Sequence, residues 1–467
     1  MSVRSLALGL VAAAPLAAAA PAPHWGWFNQ DYAKTVTVSA VSTVYACPST
    51  SSHSASASAS ASVSVSASAS KASSASGSSS TAGSSAGSST TSSASSSSAS
   101  SVSATTTSAS ATLPSVTLTA TAAGPTGMND AAVAAGKLYM GTAIDYPGTG
   151  EGADPYYLAE AGNHHDFGGV TPANIMKWEF VEPEQNVFNF TGGDEFVALA
   201  QKNNQIIRCH NLNWYNQNPT WLTNPTTPWN ATGLLAVLEN HITKTIAHFG
   251  NACYAWDVVN EAFNDDGTYR EDIWYNTTGT DYLFTAFRTA EAAVKANNLT
   301  TKLYYNDYNI EYPGNKSTAA QNLVKSIKAA GIQIDGVGLQ SHFIVGETPS
   351  AASQSENMNA FTSLGVDVAV TELDIRTATP ATLEAQQQQV LDYASTVAAC
   401  HNVTRCVGVT VWDFDDTYSW VPGTFPGMGW ADLFFQPNGS NTPLVKKAAY
   451  DGVLYGWQGV VPPLGTQ

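Results

Sequence analysis

Two glutamates close apolar runs where a carboxylate is out of place. In AWDVVNEAF (255–263), Ala255, Trp256, Val258 and Val259 read as a buried strand, and Asn260 and Glu261 end it with an amide and an acid. A carboxylate there is costly unless something needs it. Glu372, in VTELDI (370–375), ends a second such run. Two carboxylates facing each other across a gap are the minimum set for hydrolysing a glycosidic bond. One is protonated to assist the leaving group, and the other is ionised to attack or to activate water. Trp178, Trp214, Trp412 and Trp420 crowd similar run ends, and flat rings stack on the apolar faces of pyranose sugars.

Other chemistry competes for the same residues. A single strand-end glutamate is often structural. His210, His342 and Glu372 would suit a metal of the kind barrel hydrolases carry, but the first strand-like run, KLYMGTAI, has no His-x-His pair to begin such a site. Asp413, Asp415 and Asp416 suggest calcium, yet no EF-hand-like loop spacing follows them. The expected site therefore holds no metal and no cofactor.

The elements that must position these residues alternate along the chain. Eight β-rich runs, at 137–144, 170–178, 205–214, 253–261, 302–310, 334–343, 366–375 and 405–414, are separated by helix-like stretches such as TGLLAVLENHITKTIAHFG. This alternation implies a parallel sheet, and eight units predict closure into a single α/β (β/α)8 barrel. The C-terminal ends of such strands converge on one mouth. Met176, Lys177, Trp178, His210, Asn260, Glu261, Asn306, Asp307, Gln340, His342, Glu372, Asp374 and Trp412 all sit late in their runs, so they are predicted to gather there.

WDVVNEAF, VTELDI and the upstream NIMKWE resemble glycoside hydrolase family 10, the endo-1,4-β-xylanases, over about residues 128–458. That resemblance implies a secreted retaining endo-xylanase acting on xylan, with Glu261 as general acid/base and Glu372 as nucleophile. It implies that Asn260 bonds the 2-hydroxyl of the sugar beside the cleaved bond. It also implies that His342 bonds the nucleophile, with Asp374 behind that histidine. Asn174, Lys177, His210, Trp214, Gln217 and Gln340 match contacts on the glycone side, and Trp412 and Trp420 match a tryptophan cover. The chain departs from the family at four places. Ala173 stands where Glu is usual, and Tyr215–Asn216 where His-Ser precedes the glutamine. Asn213 replaces an apolar residue, and Asp413 stands where Gly is common. Ala173 and Tyr215 are placed on the glycone side, so another β-glycoside, such as a plant saponin, is the alternative substrate. A non-catalytic wall-binding protein is a further alternative.

The remaining chain is read from composition. Of 467 residues, 1–22 resemble a signal peptide (Arg4, then an apolar stretch from Leu6), 23–47 form a short N-terminal segment, and 48–125 are mostly Ser, Ala and Thr. The Ser-rich stretch cannot bury enough apolar area to fold and reads as a glycosylated linker. The catalytic domain is placed at 126–458, with 459–467 as a tail. From Gly124 onward the chain has 35 acidic and 16 basic residues, a net charge of −19, which makes nucleic acid and anionic membranes poor partners. A monomer is expected. Of five cysteines, Cys400 and Cys406 are the predicted disulfide. Cys209 and Cys253 are read as lying too far apart along their strands to pair, and Cys47 is left over.

Overall fold

The computed structural model describes residues 127–463. The leader, the N-terminal segment with Cys47, the Ser-rich linker and residues 464–467 of the tail lie outside the described residues. Eight strands form the barrel: β1 (Tyr139–Ile144), β2 (Gly169–Pro172), β3 (Ile206–Cys209), β4 (Cys253–Asn260), β5 (Lys302–Asp307), β6 (Gly336–Leu339), β7 (Asp367–Ala378) and β8 (Cys406–Val411). Each pairs in parallel with its sequence neighbour. β8 pairs back onto β1, with Tyr139 opposite Gly408, so the sheet closes. Helices between the strands cover its outside, and each presents an apolar stripe inward. Helix Ala231–Phe249, for example, buries Leu234, Leu238, His241, Ile242, Ile246 and Phe249, and the Asn230 side chain caps its N-terminus. This is the α/β (β/α)8 barrel that the alternation predicted.

The strands are shorter than the runs that announced them. β2 stops at Pro172, because proline cannot donate to the ladder and residues 173–177 turn into the mouth. The sixth run splits into β6 and a short strand, His342–Ile344, that pairs with β7. Irregular register marks the places that matter most. Between β4 and β5 it shifts at Asp257–Val259, and between β7 and β8 it shifts between Val370 and Leu373. Such shifts re-aim side chains next to active sites, and these two lie just before Glu261 and around Glu372.

Inside the barrel, packing is tight enough to require glycine. A Cβ on Gly336 would lie 2.2 Å from the Tyr304 ring, and one on Gly338 would lie 2.1 Å from Asn306 Oδ1. Both glycines on β6 thus make room for side chains that β5 sends inward. Deeper down, Arg208 pairs with Asp257 across β3 and β4, fully buried, and lies over the Tyr304 ring.

The cysteines correct one expectation. Cys400 and Cys406 are bonded as predicted. Cys209 and Cys253 are bonded as well, with Cα atoms 5.6 Å apart. The sequence places Cys209 at the end of β3 and Cys253 at the start of β4, which suggests distance along the barrel. However, Ile207 lies opposite Cys253 and Cys209 opposite Trp256, and the register shifts between Ile207 and Arg208. The stagger between neighbouring strands brings the two sulfurs together. A bridge that closes 44 residues restricts the unfolded chain more than one that closes 6. Replacing Cys209 and Cys253 with Ala is expected to cost about 4 kcal/mol, against about 2 kcal/mol for Cys400 and Cys406, in reversible denaturant unfolding. Equal losses for the two pairs would contradict this.

Candidate active site

Glu261 follows β4 directly and sits in the left-handed region, with φ of 58°. Non-glycine residues are uncommon there and need support from their surroundings. The support is visible. Glu261 N–H donates to Asn306 O at 2.9 Å, and Arg270 Nε donates to Glu261 O at 3.0 Å. The side chain turns into the mouth, where Oε1 accepts from Gln340 Nε2 at 3.0 Å and from Asn260 Nδ2 at 3.2 Å.

Glu372 lies on β7, and its carboxylate is buried with two side chains bonded to it. Asn306 Nδ2 donates to Oε1 at 2.7 Å, and His342 Nε2 lies 3.2 Å from Oε2. The other ring nitrogen of His342 lies 2.7 Å from Asp374 Oδ2, which also accepts from Trp420 Nε1 at 2.8 Å. Burial alone would raise the Glu372 carboxyl. The His342 hydrogen bond, the positive charges of His210 and His342, and Asn306 overcome it and hold the group at about 2. Burial would likewise lower His342, but Asp374 and then Glu372 raise it to about 10. At neutral pH the imidazolium therefore donates from both nitrogens to two carboxylates.

One amide chain joins the two glutamates. Asn306 Nδ2 donates both to Glu372 and to Asn260 Oδ1, while Gln340 Nε2 donates to Asn260 Oδ1 and to Glu261. Thr371 Oγ donates to Asn306 Oδ1 and fixes which way that amide faces.

A second cluster opens beside the pair. Lys177 Nζ donates to Asn174 Oδ1 at 3.0 Å and to Gln217 Oε1 at 2.6 Å, and lies 4.8 Å from the Trp214 ring centre. Gln217 returns a bond to Asn174, and Asn174 donates to Asp145. Burial lowers Lys177 to about 8 against the opposing pull of Glu372, Asp145 and Glu261. His210 is buried, oriented through Nδ1 by Asp257, and meets the Trp412 ring edge-on. Trp214, Trp412 and Trp420 remain partly exposed, as a sugar-contacting ring requires.

Trp178 does not join them. Its ring stacks on His241 at 3.8 Å, with 2 % of its surface exposed, because the short helix Trp178–Val181 turns it into the core. The departures from the family pattern are scattered differently. Ala173 is half-buried at the end of β2, and Asn213 accepts a backbone bond from Asn260 N. Asp413 is buried and takes the Tyr157 hydroxyl, with burial and the charge of Glu151 raising it well above an ordinary carboxyl. Tyr215 is the most exposed of the four and lies over the Arg270 guanidinium at 4.2 Å.

Sequence reasoning did not single out Asn306 or Arg270. Asn306 was marked only as a strand-end polar residue, and Arg270 lies in a loop with no local signal. Neither would be found without knowing which strands are neighbours.

The profile of glycosyl hydrolase family 10 matches residues 127–455. The chain belongs to this family. An endo-1,4-β-xylanase D from Talaromyces funiculosus is 53% identical over 331 residues, covering 71% of this chain and 77% of that protein. An endo-1,4-β-xylanase A from Phanerodontia chrysosporium is 47% identical over 330 residues, with the same coverage. Among solved structures, a family 10 xylanase from Bispora sp. MEY-1, determined with xylobiose, superposes with a TM-score of 0.70 at 62% identity, covering 71% of this chain and 99% of that one. The native xylanase 10B from Thermotoga maritima superposes with a TM-score of 0.65 at 33% identity, covering 71% of this chain and 98% of that one. Among the described residues of this family 10 chain, no helix is long and apolar enough to cross a membrane.

The depressed Glu372 has a direct test. Its contribution to stability is in place above about pH 4.5 and fades as pH falls toward 2, because the folded group releases its proton more readily than the unfolded one. His342→Gln removes the imidazolium, so the Glu372 titration is expected to move up by roughly 1–3 pH units. Carboxyl carbon NMR on glutamate-labelled protein reads this, and an unmoved titration would contradict the assigned cause.

Proposed function

We propose that this protein is a retaining endo-1,4-β-xylanase that cleaves internal bonds of xylan after export from the cell. The observation that carries the reading is the unequal pair of carboxylates. Glu372 is held ionised by donors, and Glu261 is tied to it through the Asn306–Asn260–Gln340 amides. The two relatives named above are both endo-1,4-β-xylanases, which favours xylan as the substrate.

In the first step Glu261 gives its proton to the glycosidic oxygen while Glu372 attacks the anomeric carbon. The glycosidic bond breaks, the shortened chain departs with the proton, and a glycosyl ester forms on Glu372. In the second step Glu261, now a carboxylate, takes a proton from water. The hydroxide oxygen attacks the same carbon, and Glu372 leaves. Two inversions restore the β configuration. His342 and Asn306 favour the ionised form of Glu372, which must be present at the start and the end of the cycle. In this reading Asn260, whose amide also reaches Glu261, holds the 2-hydroxyl of the sugar beside the cleaved bond. Asn174, Lys177, His210, Trp214, Gln217 and Gln340 bind the glycone sugars, and Trp412 and Trp420 close over them.

A second reading has an observation of its own. Tyr215, packed on the Arg270 that holds the Glu261 carbonyl, stands where the family has histidine, and the half-buried Ala173 stands where it has glutamate. Both changes alter recognition without touching the carboxylate pair, which keeps another β-glycoside in view as substrate.

Incubation with xylohexaose, followed by proton NMR, separates these readings. The expected result is internal cleavage with β-configured product first. Glu372→Ala is expected to abolish it, and Glu261→Ala to reduce it by roughly 10²- to 10⁴-fold. An α-configured first product would contradict retention, and an inert wild type would direct the search to other β-glycosides.

A further inference from the structure

Against the backbone of Glu261 stands a connected set of polar groups, of which Tyr305, Asp307 and Lys316 are buried. The Tyr305 hydroxyl accepts from Ala262 N–H at 3.1 Å, which is the peptide that follows Glu261. Tyr305 in turn donates to Asp307 Oδ2. Asp307 is fully buried, accepts from Tyr308 N at 2.9 Å through Oδ1, and meets Lys316 Nζ at 3.0 Å. The Lys316 ammonium also lies 3.2 Å from the Tyr308 ring centre, and the Tyr308 hydroxyl accepts from Arg270, whose Nε holds the Glu261 carbonyl.

Both peptide groups that flank Glu261 are therefore gripped from β5 and its loop. Asn306 O takes the amide before it, and Tyr305 takes the amide after it. A residue with φ of 58° needs that grip, because nothing in its own conformational preference keeps it there. The groups facing Asp307 are Lys316, Tyr305 and Glu261, and the phenols of Tyr282 and Tyr215 also feel its charge.

We propose that Asp307, acting through Tyr305 and balanced by Lys316, is a positioning residue for Glu261, so that its effect falls on proton transfer and not on attack by Glu372. The proposal rests on the retaining reading above. Misplacing a proton donor by a fraction of an ångström weakens the step that uses the proton, and leaves alone a step that does not. Within the Glu372 shell, His342, Asp374 and Trp420 share no side-chain hydrogen bond with Tyr305, Asp307 or Lys316, and Asn306 meets both glutamates, its side chain holding Glu372 and its backbone carbonyl taking the Glu261 N–H.

The test compares leaving groups. Wild type, Tyr305→Phe and Asp307→Asn are assayed on xylohexaose, whose leaving sugar needs a proton, and on 2,4-dinitrophenyl β-xylobioside, whose phenolate needs none. Tyr305→Phe keeps the ring and loses only the hydroxyl, so it stands even where Asp307→Asn folds poorly. For Tyr305→Phe, kcat/KM on xylohexaose is expected to fall roughly 10- to 100-fold, and on the aryl substrate by less than about 3-fold. Added azide, a nucleophile that needs no base, is expected to restore any loss of kcat on the aryl substrate. Equal losses on both substrates, or no loss on xylohexaose, would overturn the proposal. A wild type that cleaves the aryl substrate and not xylohexaose would instead count against the xylanase reading.

Discussion

An ionised carboxylate buried at the mouth sets the demands that the rest of the site meets. Taking the Glu372 charge out of water is unfavourable by several kcal/mol unless donors replace the lost solvent. The barrel supplies them from two directions. Asn306 reaches across from β5, and the His342 imidazolium is held in place by Asp374 and Trp420. Much of the local architecture follows. Gly338 clears the space that Asn306 occupies, Thr371 fixes the orientation of its amide, and the short strand His342–Ile344 pairs with β7 so that His342 lies opposite Asp374.

Strand β5 emerges as the common support for both carboxylates. Its residues alternate in direction, as any strand requires, and the alternation divides the labour. Tyr304 and Asn306 point into the barrel, Asn306 reaching Glu372 and Asn260. Tyr305 and Asp307 point the other way and hold the peptide behind Glu261. The two glutamates thus share Asn306, and the outward face of the strand, through Tyr305 and Asp307, holds only the Glu261 side. This makes it possible for one to be disturbed without the other.

The sequence made the barrel legible because eight buried parallel strands leave eight apolar runs, and the polar residues of the mouth gather at the ends of those runs. Glu261 and Glu372 stood out for that reason. What could not be read was anything that depends on which strands are neighbours and how far they are staggered. The Cys209–Cys253 bridge was misjudged because stagger, not position within a strand, decides which residues meet. Trp178 was grouped with the sugar-facing rings because it lies next to Lys177. One residue further along a helical turn, it points into the core and stacks on His241. Asn306 and Arg270 carry no local signature, since an asparagine in a strand and an arginine in a loop acquire meaning only from what faces them.

The measurement that tests the central claim most directly is capture of the covalent ester. A 2-fluoro-xylobioside with an activated leaving group slows the second step, and digestion with mass spectrometry then locates the sugar. One disaccharide on the peptide containing Glu372, with no adduct in Glu372→Ala, is the predicted result. Hydrolysis without any adduct, or an adduct on Glu261 or elsewhere, would contradict an account in which the buried, ionised Glu372 is the nucleophile.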